Sequence, residues 1–194
     1  MSTRLWIIIA IVAVLILAVS GINTIPRLEE NVNQKWADVQ NEYQRRADLV
    51  PNLVETVKGV ANFEKSTLTD VIAARASATK VNITASDLSN PEAMQRYEHA
   101  QGELSSALSR LMVVSERYPE LKANQNFSTL QSQLEGTENR ITITRRDYIE
   151  AVKDYNIRVR TFPGVLWARI YGAQPKQEFT ATTEGADKAP AVKF

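Results

Sequence analysis

The chain has no cysteine and only one histidine, His99, among its 194 residues. Without cysteine there can be no disulfide, no thiolate zinc site and no thiol nucleophile. A zincin site needs two histidines one helical turn apart, and a carboxylate-bridged di-iron bundle needs two Glu-x-x-His pairs. A single histidine that directly follows Glu98 meets neither requirement. The composition predicts no metal, no cofactor and no enzymatic activity, with His99 a partly exposed helix residue.

An excess of charge of one sign is also missing, since 23 Lys and Arg residues face 22 Asp and Glu residues. No overall field would therefore draw the protein onto nucleic acid, and we expect no nucleic-acid partner. The seven glycines are scattered and form neither a P-loop nor a G-x-G-x-x-G motif. Partners must be sought in local features of the sequence.

A long uncharged run is present at residues 5–22, after a short tail at residues 1–4. As a helix its eighteen residues would cover roughly 27 Å, close to the thickness of the hydrocarbon layer. The alternative is a cleaved signal peptide, because Ala18-Val19-Ser20 has a small-x-small form. The run is longer than a usual signal-peptide core and only Arg4 precedes it. We therefore predict an uncleaved, single-pass transmembrane anchor.

The orientation of this anchor is set by few charges. Arg4 and the amino terminus lie on one side, and Arg27 and Lys35 lie on the other beside acidic residues. Because the N-terminal tail is very short, we expect it in the cytoplasm. The predicted location is the bacterial inner (cytoplasmic) membrane, with the remaining chain on the periplasmic or extracytoplasmic side. Trp6 would lie at the inner interface or would simply be part of the span.

Apolar residues at intervals of three and four fill residues 26–162 and predict four helices, at about residues 26–59, 63–80, 91–118 and 126–161. Joined by short turns, they bury their apolar stripes most simply as an antiparallel four-helix bundle in the all-α class. The first and fourth helices would each be about 52 Å long and would outlast the other two. Where they extend beyond the two shorter helices, their apolar stripes would have no partner within the chain, which predicts self-association or docking on another protein.

Pro51 falls inside the apolar stripe of the first predicted bundle helix. Its ring and missing N–H would kink a helix or mark a first turn. The stripe keeps its phase across residues 47–53, so we predict a kink and not a loop.

Four stretches resemble the LemA family: YQRRADLVPNLVETVKG (43–59), RYPELKANQNFSTLQSQLEGTENRI (117–141), RRDYIEAVKDYNIRVRTFPG (145–164) and the terminal PAVKF (190–194). The resemblance covers nearly the whole chain in order. It implies a helical bundle on an N-terminal anchor, no known enzymatic activity and a link to envelope proteases and membrane stress. Family members often carry a lipoprotein cysteine, and this chain has none. The uncharged helix itself would have to anchor it.

A polar cluster flanks Pro51, and antiparallel packing would bring part of the fourth helix beside it. The candidates are Arg45, Arg46, Asp48, Asn52, Glu138, Asn139 and Arg140. Three interpretations stay open: solvated helix faces, a buried network that specifies the register of the helices, and a ligand site. As a hypothesis, Asp48 pairs with Arg46 or Arg140.

The C-terminal part begins with a short aromatic amphipathic segment at residues 163–172. Its Trp167, Ile170 and Tyr171 suit a membrane interface or a neighbouring subunit, and the alternative is a cap over its own bundle. Residues 173–194 lack periodicity and predict an extended tail. In this tail Phe179 and Phe194 are candidates to dock on a neighbouring protomer.

The last residues of the tail carry a further candidate contact. Val192 and Phe194 lie two apart before the terminal carboxylate, as a PDZ-type partner requires. An inert tail is the alternative.

Two functions from different classes follow from the sequence. The first is a membrane-anchored scaffold that forms a homo-oligomer and organises envelope proteins, with a link to membrane stress. The second is a membrane-tethered sensor or adaptor that binds a ligand or a protease through the polar cluster or the loop at residues 81–90.

Overall fold

The computed structural model describes residues 3–60 and 63–180, and it gives their side chains except those of residues 10, 11 and 13–20. The helices are α1 Thr3–Ile22, α2 Thr24–Lys58, α3 Lys65–Lys80, α4 Pro91–Ser115, α5 Pro119–Lys122, α6 Gln125–Arg160 and α7 Gly164–Tyr171. A short 3₁₀ helix, Ala85–Ser89, lies between α3 and α4. The described residues contain no strand. The predicted all-α class is confirmed.

Helix α1 contains the whole uncharged run at residues 5–22. Six large apolar side chains of α1 are exposed: Leu5, Trp6, Ile7, Ile8, Ile9 and Val12. Among the residues with described placement, no helix combines the length and the apolar character needed to cross a membrane.

Helices α2 and α6 form the longest pair, with 35 and 36 residues. Lys35 on α2 lies 3.6 Å from Asp147 on α6, and further along α2 Arg46 lies 3.1 Å from Glu138. From the first contact to the second, the residue number rises on α2 and falls on α6, so the two helices are antiparallel.

Helices α3 and α4 form a shorter antiparallel pair that packs on α2. Glu64, just before α3, lies 3.0 Å from Arg117, just after α4. Ser77 near the end of α3 donates to Glu103 on α4 at 3.5 Å.

Asparagine side chains cap the N-termini of two of the predicted helices. The Asn90 side chain accepts hydrogen bonds from the backbone N–H groups of Glu92 and Ala93, at 3.0 and 3.2 Å, and Pro91 occupies the first helical position. Asn124 caps α6 in the same way. These bonds satisfy donors that a helix cannot satisfy internally.

Helix α2 continues through Pro51. Proline has no N–H, so the carbonyl of Ala47 four residues earlier loses its helical partner. The Nε of Arg75, on α3, donates to this carbonyl at 2.8 Å. The prediction that Pro51 marks no loop is confirmed, and a neighbouring helix supplies the missing donor.

The Arg75 contact can be tested by a double-mutant cycle. Arg75→Met should lower the free energy of unfolding by about 1–2 kcal/mol, because the Ala47 carbonyl then lacks a donor. In a Pro51→Ala background the backbone N–H returns, so the same substitution should cost less than half as much. Urea unfolding of the four variants measures the difference. Equal losses in both backgrounds would contradict this role of Arg75.

Two clusters of buried residues form the core. One lies around Val50, Leu53, Leu104, Leu111 and Phe127. The other holds the overhanging ends of α2 and α6, and it includes Trp36, Tyr97, Tyr148, Tyr155 and Phe179.

The chain covers the ends of its own long helices. Ile83 and Leu88 come from the α3–α4 connection, Ala168 comes from α7, and Phe179 comes from the C-terminal segment; all four are less than a tenth exposed. The expectation of exposed, unmatched stripes on the long helices is therefore wrong at these ends, because loops and the tail complete the core there.

Candidate functional site

Arg46 is a charged residue inside the core, and only 2 % of it is exposed. Its Nη1 donates to Ser105 Oγ at 2.5 Å and to the two carboxylate oxygens of Glu138 at 3.1 and 3.2 Å. Its Nη2 donates to the backbone and side-chain oxygens of Gln101, at 3.1 and 2.8 Å. The guanidinium also lies 5.0 Å from the ring centre of Tyr43. One side chain of α2 thereby joins α4 and α6.

Gln101 extends these contacts to a fourth helix. It is 7 % exposed, and its Nε2 donates to the carbonyl of Ala78 on α3 at 3.2 Å. Ser105 Oγ in turn lies 3.0 Å from Glu138 Oε1. We call Arg46, Gln101, Ser105 and Glu138 the arginine network. Its bonds connect α2, α4 and α6 directly and reach α3 through Gln101.

The structure brings together two of the seven residues in the predicted polar cluster, Arg46 and Glu138. Arg140 pairs with Glu42 at 3.0 Å and donates to Thr137 at 3.1 Å. Asp48 accepts from Gln44 at 2.7 Å, and the ion pairs of Arg46 and Arg140 are with Glu138 and Glu42, so our hypothesis for Asp48 is wrong. A residue two positions after Arg46 points to the far side of the helix, where Asp48 is exposed.

The remaining members of the predicted cluster lie outside the arginine network. Arg45, Asn52 and Asn139 are exposed on the surfaces of α2 and α6. The sequence did not indicate Gln101 or Ser105, since isolated polar residues on an amphipathic helix carry no distinguishing pattern.

An open cleft of about 1140 Å³ leads to the arginine network. Its lining includes Asp70, Glu98, Glu103 and Glu138 together with Arg46, Arg110 and Arg145. Gly102 faces open space there, because a Cβ added to it would have no neighbouring atom within 4 Å. Alternating charges suit the polar surface of a protein partner better than a single small ion.

His99 also lies along this cleft, and its side chain is 76 % exposed. Its Nδ1 is 3.7 Å from the Glu103 carboxylate. The expectation of an exposed helix residue is confirmed. Within residues 3–60 and 63–180, no three His, Asp or Glu side chains are grouped so that they could hold a metal ion.

The C-terminal segment 173–180 packs along the helices of its own chain. The backbone N–H of Gln177 donates to Leu88 O at 2.7 Å, and Asn156 makes two hydrogen bonds to the backbone of Lys176. Thr180 donates through its N–H and its hydroxyl to Glu98, at 3.1 and 2.5 Å. These contacts hold the described part of the tail in one place.

Phe179 is the apolar anchor of this segment and is 7 % exposed. Its ring centre lies 5.9 Å from that of Trp36 and 5.5 Å from that of Tyr148. The Arg145 guanidinium carbon is 4.4 Å from the same ring centre. The structure thus places Phe179 in its own core, whereas the sequence suggested a neighbouring protomer. Val192 and Phe194 lie outside the described residues, so the PDZ-type partner and the docking of Phe194 stay predictions.

Burial keeps the core tyrosines protonated. It raises the pKa of Tyr43, Tyr97 and Tyr148 above the usual value, and it raises the pKa of Tyr155 to about 12. The Tyr148 hydroxyl remains a donor, and it donates to the Gln177 carbonyl at 2.9 Å. At the loop before α4, hydrogen bonds from Thr84 lower the pKa of Asp87.

Helix α7 lies against the end of α1. The Tyr171 hydroxyl donates to the carbonyl of Ile22 at 3.0 Å. Trp167 is partly buried and packs on the core and on Gly21, where a Cβ would clash with its ring. Ile170 is 69 % exposed. The predicted contact residues of α7 therefore divide into a side that meets α1 and a side that faces outward.

The model of the LemA family matches residues 35–194. The chain belongs to the LemA family. The resemblance inferred from the four sequence stretches is thereby confirmed. The match includes the arginine network and the C-terminal segment of this LemA-family chain, and α1 precedes it.

The relatives of this LemA-family chain are distant in sequence. Magnetosome proteins MamQ 1 and MamQ 2 of Paramagnetospirillum magneticum are each 24 % identical to it, over 92 % of this chain and 71 % of their own length. Protein LemA of Metamycoplasma hominis is 22 % identical over 72 % of this chain, which covers 60 % of that protein.

Proposed function

We propose that this protein is a membrane-anchored, non-catalytic helical scaffold. In this proposal α1 is a single-pass anchor in a bacterial inner membrane, and α2, α3, α4 and α6 form an antiparallel four-helix bundle on its extracytoplasmic side. The observation that carries the proposal is the outward apolar surface of α1. Five of its side chains, from Trp6 to Val12, are between 44 and 59 % exposed, and nothing else in the described chain covers them. A lipid environment would bury them.

The arginine network supports a rigid scaffold. The buried Arg46 guanidinium joins α2 to α4 and α6, and Gln101 adds α3. The two Nη groups of Arg46 keep their acceptors only while these helices keep their places. The docked segment 173–180 adds a further brace across α4 and α6.

Exposed apolar side chains on the bundle support self-association. Ile72 on α3, Val113 on α4, and Ile143 and Ile157 on α6 are between 47 and 71 % exposed. Single exposed apolar residues are common, and each alone would give a weak contact. Anchoring restricts the copies to two dimensions and raises their effective concentration, so weak contacts suffice. The relatives named as magnetosome proteins are consistent with a role as a component of a larger body.

Charges placed in α1 test the anchor. Ile9→Lys together with Val12→Lys should move the protein from the alkali-resistant membrane fraction to the soluble fraction, because each lysine costs about 2.5–3.5 kcal/mol near the centre of a span. The matched control is Ile72→Lys with Val113→Lys on the bundle, which should stay with the membrane. If the α1 variant resists alkali extraction as the unaltered protein does, the anchor is wrong.

The cleft favours an adaptor as the second candidate function. Gly102 is its most suitable probe, since a side chain there enters open space. A photo-reactive residue at this position, activated in intact membranes, should form adducts only between copies of the chain if the cleft serves the scaffold. A specific adduct with a different protein, such as an envelope protease, would favour the adaptor.

A further inference from the structure

The last turn before α7 and the outward side of α7 present three large apolar side chains. Phe162 is 79 % exposed, Leu166 is 51 % exposed and Ile170 is 69 % exposed. They recur at intervals of four residues, so Leu166 and Ile170 lie one above the other on the helix, with Phe162 in the turn before it. We call these three residues the α7 apolar stripe.

The position of this stripe relative to α1 indicates what covers it. Trp167 and Tyr171, each the next residue after a member of the stripe, contact Gly21 and Ile22 at the end of α1. Those two residues also end the uncharged run. If α1 spans a membrane, this end lies at the boundary between hydrocarbon and water, and the stripe lies beside it.

The side of α7 opposite the stripe is packed against the rest of the chain, so the helix cannot rotate to bury the stripe. Gly164 and Ala168 are buried, and a Cβ on Gly164 would clash with the backbone carbonyl of Arg158 on α6. This close approach fixes the rotation of α7 about its axis. The stripe must therefore face away from the bundle.

Exposed basic residues lie close in sequence to the end of α1 and to α7, and Glu30 is exposed after Arg27. Arg27 follows the end of α1, Arg160 precedes the stripe and Arg169 lies within α7. Arginine and aromatic residues next to apolar ones are typical of helices that lie in the plane of a membrane surface. The positive charges favour anionic headgroups.

We infer that α7 lies in the membrane surface at the leaflet where α1 ends, with Phe162, Leu166 and Ile170 in the lipid. This inference rests on the proposed anchor. Two points of attachment, α1 and α7, would fix the angle at which the bundle stands on the membrane. Copies held at one angle would present the same faces to each other.

The absence of cysteine permits a direct test with single labelled thiols in the full-length protein. Ile170→Cys probes the stripe, Ile9→Cys probes the anchor, and Ser132→Cys is the control. Ser132 is exposed on α6, roughly 42 Å along the helix from Arg160. Each variant carries an environment-sensitive fluorophore in nanodiscs of phosphatidylcholine and phosphatidylglycerol, with and without lipids that bear a quencher.

The inference predicts that lipid quenchers remove more than half of the fluorescence at positions 170 and 9 and little at position 132. Quenching at position 9 without quenching at position 170 would overturn the inference and leave the anchor intact. No quenching at position 9 would overturn the anchor, and the inference would fail with it.

An unlabelled variant checks that the fluorophore does not itself draw α7 into lipid. Phe162→Glu with Leu166→Glu, which leaves the residues beside Arg169 unchanged, should release α7 from the surface while α1 keeps the protein in the nanodisc. Tryptic cleavage at Arg169 should then become several times faster than in the unaltered protein. An unchanged cleavage rate would contradict the inference.

Discussion

Glu138→Gln should lower the free energy of unfolding by about 2–3 kcal/mol, because it leaves the Arg46 guanidinium buried without a counter-charge. The Glu138 side chain is 49 % exposed, so water can solvate the side chain at this position in either variant. Arg46 is 2 % exposed, so water cannot replace the lost carboxylate beside its guanidinium. The loss is smaller than for a fully buried pair, because Gln101 and Ser105 still accept from Arg46. Denaturant unfolding measured by circular dichroism gives the value.

Two companion variants show whether the effect comes from the arginine network. Asp48→Asn, on the outer side of the same helix, should change stability by less than about 0.5 kcal/mol. In an Arg46→Met background, Glu138→Gln should cost almost nothing, since no buried charge remains to be stranded. Similar losses for Asp48→Asn and Glu138→Gln would show that the network has no special role.

Phe179→Ala should release segment 173–180 and lower the free energy of unfolding by about 2–4 kcal/mol. Phe179 fills a place among Trp36 and Tyr148 that the bundle helices leave open. Without its ring, the hydrogen bonds of Gln177 and Thr180 must hold the segment alone. Lys176, now 8 % exposed and 2.9 Å from Glu29, should become accessible to trypsin.

The time course of cleavage after Lys176 measures this release. Glu178→Ala changes the residue next to Phe179 and should leave both stability and cleavage nearly unchanged. Continued protection of Lys176 in the Phe179→Ala protein would mean that the polar contacts suffice and that the ring is not the anchor.

The helices were predictable from the sequence because their signals are local. The intervals of three and four residues mark α2, α3, α4 and α6, and Asn90 and Asn124 lie where a helix start requires an acceptor. The unbroken stripe across Pro51 predicted a continuous helix, although the donor from Arg75 could not be foreseen.

The partners of Arg46 depend on how the helices meet and could be predicted only in part. Antiparallel packing of the long helices was enough to bring Glu138 near Arg46. Gln101 and Ser105 belong to α4, and the position of α4 along α2 is not visible in any local pattern of the sequence. Asp48 was a candidate partner because it is close in sequence, but helix geometry turns it away.

The docking of Phe179 was missed because its segment has no periodicity. A lone aromatic residue in a polar tail gives no sign of whether it packs on its own chain. The unfilled space at the ends of α2 and α6 becomes apparent only when the connections and α7 are in place.

The mass of the full-length protein extracted in mild detergent tests the scaffold most directly. We predict a discrete particle of several copies, which Val113→Glu together with Ile143→Glu on the outer faces of α4 and α6 reduces to smaller species. Analytical ultracentrifugation with correction for bound detergent, supported by negative-stain images, gives the number of copies. A monodisperse monomer across the accessible concentration range would contradict the account.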